Sequence, residues 1–283
     1  AMASVQTFHQ QQKQLFDEFV LLRQRYDEMK QNLNDTLWGK CCEFHPDLKV
    51  IPAQEDSETF LENEEQVGIY NLGRMLGEGQ FATVKSCMVS QSRGDPSRTD
   101  HGKEYAMKII EKDKIHNFRS LKRTSNEIMI LHELVNPQIV SVADVIQTSS
   151  RLYIVTEKGG EDLFEFFDEH PDGVPEGWAR EIMKLILKGV HYCHENQICH
   201  RDLKPENILV SFNTEAGHCE DLKLCDFGLV KNKNTTAGTP CYMAPELLLN
   251  KFFNKSVDVY SFGILLCEIF DGKLPFHMVG VSD

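Results

Sequence analysis

The stretch that most constrains what this chain can fold into is His200-Arg201-Asp202-Leu203-Lys204-Pro205-Glu206-Asn207, followed after a polar connection by Asp226-Phe227-Gly228. A carboxylate, a lysine and an amide stand at fixed short offsets, and a hairpin must bring the second carboxylate back to them. Those groups can hold a magnesium-bound triphosphate beside a hydroxyl nucleophile, which is the requirement of phosphoryl transfer.

The stretch is one member of an ordered series. Gly77-Glu78-Gly79-Gln80-Phe81-Ala82-Thr83-Val84, then Ala106-Met107-Lys108, then Glu127 precede it, while Gly238-Thr239-Pro240 and Ala244-Pro245-Glu246 follow. A lone G-x-G is weak; the whole series in one order over residues 69–283 is specific. It resembles the protein kinases, with their H-R-D-L-x-x-x-N catalytic loop and D-F-G metal site. The Lys204-Pro205-Glu206 interior resembles the serine/threonine branch. The Gly-Gln-Phe-Ala loop, the Lys-Pro-Glu-Asn run and the Gly-Thr-Pro shelf look most like the calcium/calmodulin-dependent-kinase group, although the sequence carries no calmodulin-binding basic helix or EF-hand loop.

The resemblance implies an α+β, two-lobed protein kinase fold, with a small, mostly β N-lobe at 69–157 and a mostly α C-lobe at 158–283. Family members continue for several helices beyond the point matching Asp283, so the C-lobe is expected to lack its last helices. Glu246 is then expected to be exposed, or paired otherwise than with the arginine those helices usually supply.

ATP and Mg2+ are the implied cofactors, and protein substrates the implied partners. Asp202 would orient or accept the hydroxyl proton, Lys204 would neutralise the moving phosphoryl group, and Asn207 and Asp226 would hold the metal. Lys108 would pair the phosphates and be oriented by Glu127. Gly77 and Gly79 would bring backbone N–H groups to phosphate oxygens under Phe81, with Ala82 standing where the family has a third glycine. Leu76, Gln80, Val84, Ala106, the gatekeeper Thr156, the hinge residues Glu157 and Gly159, Leu209 and Cys225 complete the implied nucleotide site. Asp162 is placed to reach the ribose, or simply to cap the helix that follows. Leu131, Val142, His200 and Phe227 match the spine that links the lobes, and Asp258 the carboxylate that anchors the catalytic-loop backbone. Thr239 matches the peptide shelf, with its hydroxyl near Asp202 and Lys204. Glu206, Asp162 and Glu268 match positions that line the peptide groove of arginine-directed kinases. A phosphate on Thr235, or alternatively Thr236, would be gripped by Arg201.

Composition narrows the alternatives. A net charge of −13 argues against a nucleic-acid partner, which needs a basic face. The sequence has no apolar run of about 18 residues to span a membrane. Nine cysteines without a C-x-x-C pair read as reduced thiols, hence an intracellular protein, cytoplasmic or nuclear. His191, Cys193, His194, Cys199 and His200 are not read as a zinc site, because His200 belongs to the catalytic loop. Within residues 1–50, Leu15, Phe19, Leu22, Tyr26, Met29 and Leu33 alternate spacings of four and three, an amphipathic helical extension. It spans about three heptads, so docking within the chain and self-association both stay open. Residues 51–68, with Glu55, Asp56, Glu58, Glu62, Glu64 and Glu65, read as an acidic linker or as a competitor for a basic groove. A partner-binding scaffold of the same fold is the rival from another class, and the intact Lys108, Asp202, Asn207 and Asp226 argue against it.

Overall fold

The computed structural model describes residues 24–25, 49–50, 65–79, 82–90, 99–115, 118–148, 150–213, 215–229 and 239–275. In the unit formed by residues 1–48 these are Gln24 and Arg25 alone, both helical and exposed, so the amphipathic extension otherwise lies outside the described residues. The acidic segment 51–64, Gln80, Phe81, Thr235, Thr236 and Gly238 lie outside them too.

A seven-stranded sheet comes first. Its strands are β1 (Lys49–Val50), β2 (Gln66–Val67), β3 (Tyr70–Glu78), β4 (Ala82–Val89), β5 (Glu104–Glu111), β6 (Val142–Gln147) and β7 (Arg151–Glu157), in the order β1-β6-β7-β5-β4-β3-β2. It takes in Gln66–Val67 at one edge and Lys49–Val50 at the other, residues that the sequence placed in the linker and the extension. The strands follow from alternation. On β5, Tyr105 and Met107 are buried while Ala106 and Lys108 are partly open, as period two demands. Leu152 to Val155 on β7 are all buried, because that strand lies inside the sheet between β6 and β5. Val67, Tyr70, Cys87, Val89, Tyr105, Met107, Ile146, Tyr153 and Val155 form one core cluster, and the Tyr70 hydroxyl donates to the buried Asp144 at 3.3 Å. Helix α1 (Phe118–Glu133) interrupts the strands and buries Leu121, Thr124, Ile128 and Leu131 at spacings of three and four.

Beyond β7 the chain turns mostly helical. A three-stranded sheet, β8 (Glu161–Asp162), β9 (Ile208–Asn213) and β10 (His218–Leu224), is ordered β10-β9-β8. It is accompanied by α2 (Leu163–Asp168), α3 (Glu176–Glu195), α4 (Pro245–Leu248) and α5 (Ser256–Asp271). Helix α3 buries Ala179, Ile182, Met183, Ile186, Val190 and Cys193, the stripe its 3.6-residue period presents to a core. Helix α5 buries Val257, Asp258, Ser261, Ile264, Leu265 and Ile269 and closes at Gly272, whose φ of 63° is the left-handed conformation that suits glycine. An apolar groove of about 530 Å³ between α3 and α5, lined by Leu187, Phe262, Leu266 and Phe270 among others, shares no residue with the site below. No described helix is long and apolar enough to cross a membrane.

Candidate active site

Alternation on β5 sends Lys108 away from the core, and α1 carries Glu127 to meet it; Nζ and Oε1 are 2.6 Å apart. Glu127 is buried and Lys108 half-buried. Desolvation alone would lower the Lys108 pKa, but the carboxylates of Glu127 and Asp226 outweigh it and hold the ammonium above its ordinary value.

The catalytic loop is held from beneath by Asp258 of α5. Its Oδ2 accepts the His200 N–H at 2.9 Å and its Oδ1 the Arg201 N–H at 2.7 Å. His194 Nε2 lies 2.8 Å from the same Oδ2. A fully buried carboxylate needs such partners. His200 Nε2 lies 3.0 Å from Cys225 O, and the Asp202 nitrogen lies 3.4 Å from His200 Nδ1. The His200 ring lies 4.8 Å, centroid to centroid, from the Phe227 ring. Of the spine positions, Leu131, His200 and Phe227 are buried and Val142 half-buried.

Asn207 donates from Nδ2 to Asp202 O at 2.8 Å and to Asp202 Oδ2 at 3.1 Å. That leaves its amide oxygen as the group with coordinating capacity. Asp202 Oδ1 accepts the Thr239 backbone N–H at 3.2 Å, so the shelf reaches this carboxylate through its backbone. Lys204 Nζ stands 3.4 Å from Glu206. The antiparallel pair β9 and β10 runs from Ile208↔Leu224 to Asn213↔His218, with a register shift between Cys219 and Asp221, and delivers Asp226. Asp226 has a φ of 58°, and its Oδ1 accepts the Gly228 N–H at 3.2 Å.

Their surroundings shift the two aspartates in opposite directions. Lys108 holds the Asp226 carboxyl below the usual range against some desolvation. Desolvation raises Asp202, with Lys204 and His200 pulling it back and Asp226 pushing it up.

The implied nucleotide residues form a partly open face. Val84, Ala106, Leu209 and Cys225 are half-exposed and Leu76 exposed, although the core neighbours Tyr105 and Met107 are buried. Ala106 faces Thr156 in register, and the Thr156 hydroxyl donates to Ala106 O at 3.5 Å. Leu209 pairs with Asp162 and presses on the hinge so closely that a Cβ on Gly159 would lie 2.6 Å from its Cδ1. At Gly77 a Cβ would meet nothing within 4 Å, so packing inside the chain does not require glycine there. The Asp162 carboxylate accepts the Glu165 N–H at 2.9 Å, capping α2. Glu157 turns its carboxylate to Ser141 and Lys223. Arg201 donates from Nη1 to Leu229 O at 2.9 Å and lies 4.4 Å over the Phe253 ring. Glu246 is half-exposed and forms no ion pair among the described residues. His194 and Lys223 were missed, because neither belongs to a motif and each acts across a long sequence gap.

The family profile described as "Protein kinase domain" matches residues 70–282. The chain is 36% identical over 215 residues to the SNF1-related protein kinase catalytic subunit alpha KIN12 of Arabidopsis thaliana, an alignment covering 73% of this chain and 40% of the relative. It is 36% identical over 226 residues to CBL-interacting protein kinase 24 of Oryza sativa subsp. japonica, covering 76% and 46%. The human serine/threonine-protein kinase DCLK3 is 36% identical over 214 residues, covering 74% and 31%. The chain spans less than half the length of these curated relatives.

Proposed function

From the premise that the chain belongs to the protein kinase family, we propose that it transfers the γ-phosphoryl group of ATP to serine and threonine hydroxyls of protein substrates. The observation that carries this reading is the geometry of two groups of residues: Lys108 paired with Glu127 at 2.6 Å, and Asp202 held by the Asn207 amide at 3.1 Å and the Thr239 N–H at 3.2 Å. Asp202, bonded to Asn207 and to the Thr239 N–H, orients the acceptor hydroxyl and takes its proton as the O–P bond forms. Lys204 lies beside the path of the moving phosphoryl group, and Lys108, fixed by Glu127, pairs the α and β phosphates.

The residues fit a magnesium ion. Asp226 is ionised with one oxygen spent on Gly228, and Asn207 has its nitrogen spent on Asp202, so each offers an oxygen. One or two protein oxygens completed by substrate phosphates is the manner in which magnesium is commonly held. When bound there, the ion would neutralise charge on the β and γ phosphates.

The proposal extends to substrate, regulation and place. Glu206 is exposed, and Glu268 is raised by burial, with Glu206 adding to the rise against the Tyr242 hydroxyl; a substrate arginine would relieve both carboxylates. Phosphate on Thr235 or Thr236 gripped by Arg201, docking or self-association through the amphipathic extension, and an intracellular site of action rest on sequence. Asp202→Asn keeps the shape of the side chain and removes the proton acceptor. Turnover of a basic protein substrate should fall by about 10³-fold or more with circular dichroism unchanged. Turnover at the parent rate overturns the reading.

A further inference from the structure

Lys223 stands on β10, three residues before Asp226, and its side chain is 12% exposed. Its Nζ donates to Pro137 O at 2.9 Å and faces Glu157 Oε2 at 3.3 Å and Asp221 Oδ2 at 3.4 Å. Glu157 closes the network: its Oε1 accepts the Ser141 N–H at 2.7 Å and its own N–H donates to Ser141 O at 3.0 Å. One ammonium therefore joins the hinge to the connection between α1 and β6.

That connection is itself fastened to the C-lobe. Leu224 N–H donates to Gln138 O at 2.9 Å and Val140 N–H to Leu224 O at 3.0 Å, with a parallel bridge between Ile139 and Leu224. Helix α3 passes so near that a Cβ on Gly189 would lie 2.8 Å from Leu224 Cδ1 and 3.2 Å from Gln138 Cβ. Three chain segments leave this junction toward the site. One is α1 with Glu127, one is the hinge that begins at Glu157, and one is β10 leading to Asp226.

We propose that Lys223, acting with Glu157, is a positioning residue for the nucleotide: it fixes the hinge against the strand that delivers Asp226 and against the segment that follows α1. The proposal rests on the phosphotransfer reading, since it assigns the adenine side of the ligand to the hinge and the phosphate side to Asp226. Neither side chain touches reacting atoms. A largely shielded ion pair is screened less than an exposed one, and a shift of about 1 Å between two ends of a ligand site is enough to weaken it.

Lys223→Met removes the charge and the donor, whereas Lys223→Arg keeps both. The dissociation constant for ATP, measured by titration calorimetry, should rise about five-fold in Lys223→Met, the low end of coupling between separate groups, and return in Lys223→Arg. Amide exchange at Ser141 and Glu157 should quicken in the methionine variant while the thermal midpoint stays within a few degrees of the parent. The KM for a peptide substrate should not move. An unchanged ATP constant in Lys223→Met overturns the proposal, as does a general loss of stability with both substrates weakened alike. A parent chain that binds ATP but transfers no phosphate sinks the functional reading and leaves this measurement standing; one that binds no ATP sinks both.

Discussion

Asp202 and Asp226 share a residue type, and their surroundings shift them in opposite directions. Asp226 has Lys108 as its largest influence; for Asp202 the largest is desolvation, and Lys204 opposes it. The sign of a pH effect follows. Activity requires Asp202 ionised, so it is present above the raised Asp202 pKa and lost as pH falls through it. Removing Lys204 removes the first opposing influence and raises that pKa further. Lys204→Ala should therefore move the acid limb of kcat/KM to higher pH, besides lowering kcat by about 10²-fold or more as a charge-stabilising group is lost. A pH profile with a peptide substrate checks it, and an acid limb that stays or moves down contradicts the assignment.

At the scale of an element, the catalytic loop is shaped by α5. Arg201 adopts a φ of 70°, a left-handed conformation that costs a non-glycine residue about 1–3 kcal/mol. Two backbone N–H groups donating to the ionised Asp258, at about 1.5–3 kcal/mol each, offset that strain. Asp258→Ala strands those donors and the His194 ring in a buried site, so denaturant unfolding should show a loss of about 3–5 kcal/mol. Burial would raise the Asp258 pKa, but His194, His200 and the two backbone donors more than reverse it, and the folded value lies below the unfolded one. The stability this supplies is full above the unfolded value near about 3.9 and is lost as pH falls through the folded one. Asp258→Asn should flatten that acid-side slope, and an unchanged slope would assign it to other carboxylates. Between Gly228 and Ala244 the segment bearing Thr235 carries the regulatory proposal. Thr235→Ala and phosphatase treatment should lower peptide phosphorylation together, and full activity in both would remove it.

Across the whole molecule, the sheet and α1 supply Lys108 and Glu127, and the helical part supplies Asp202, Asn207 and Asp226. A site divided between two bodies lets substrate specificity sit on one of them. Tyr242 donates to Glu268 at 2.6 Å, which ties α5 to the turn after Thr239, and Glu206 lies near enough to raise Glu268. A peptide array should favour acceptors with arginine two or three residues upstream, and Glu206→Gln together with Glu268→Gln should weaken that preference by about ten-fold, one charge-assisted bond's worth. A preference for acidic or proline-flanked acceptors contradicts the proposal.

The motifs point to phosphoryl transfer before any fold is known. Asp202, Lys204, Asn207 and Asp226 are legible because a loop and a short hairpin fix their spacing whatever lies around them, and Asp258 is legible because a carboxylate in an apolar helix must have partners. Apolar residues at helical spacing (Ile182, Leu185, Ile186, Val190) likewise mark α3, and alternation marks β3 and β4 on either side of the glycine loop. The tertiary structure adds what these groups touch within the chain: the Thr239 N–H on Asp202, the Asp162 carboxylate on the Glu165 N–H, and the Glu157 carboxylate on Ser141 and Lys223. It alone joined Lys223 to Pro137, 86 residues earlier, and His194 to Asp258, 64 residues later. It also drew Lys49–Val50 and Gln66–Val67 into the sheet. Two-residue strands carry no period to read, and an ion pair across such separations leaves no local pattern. Both exist because the core brings distant backbone together, and the charges then settle where desolvation and opposite charge balance.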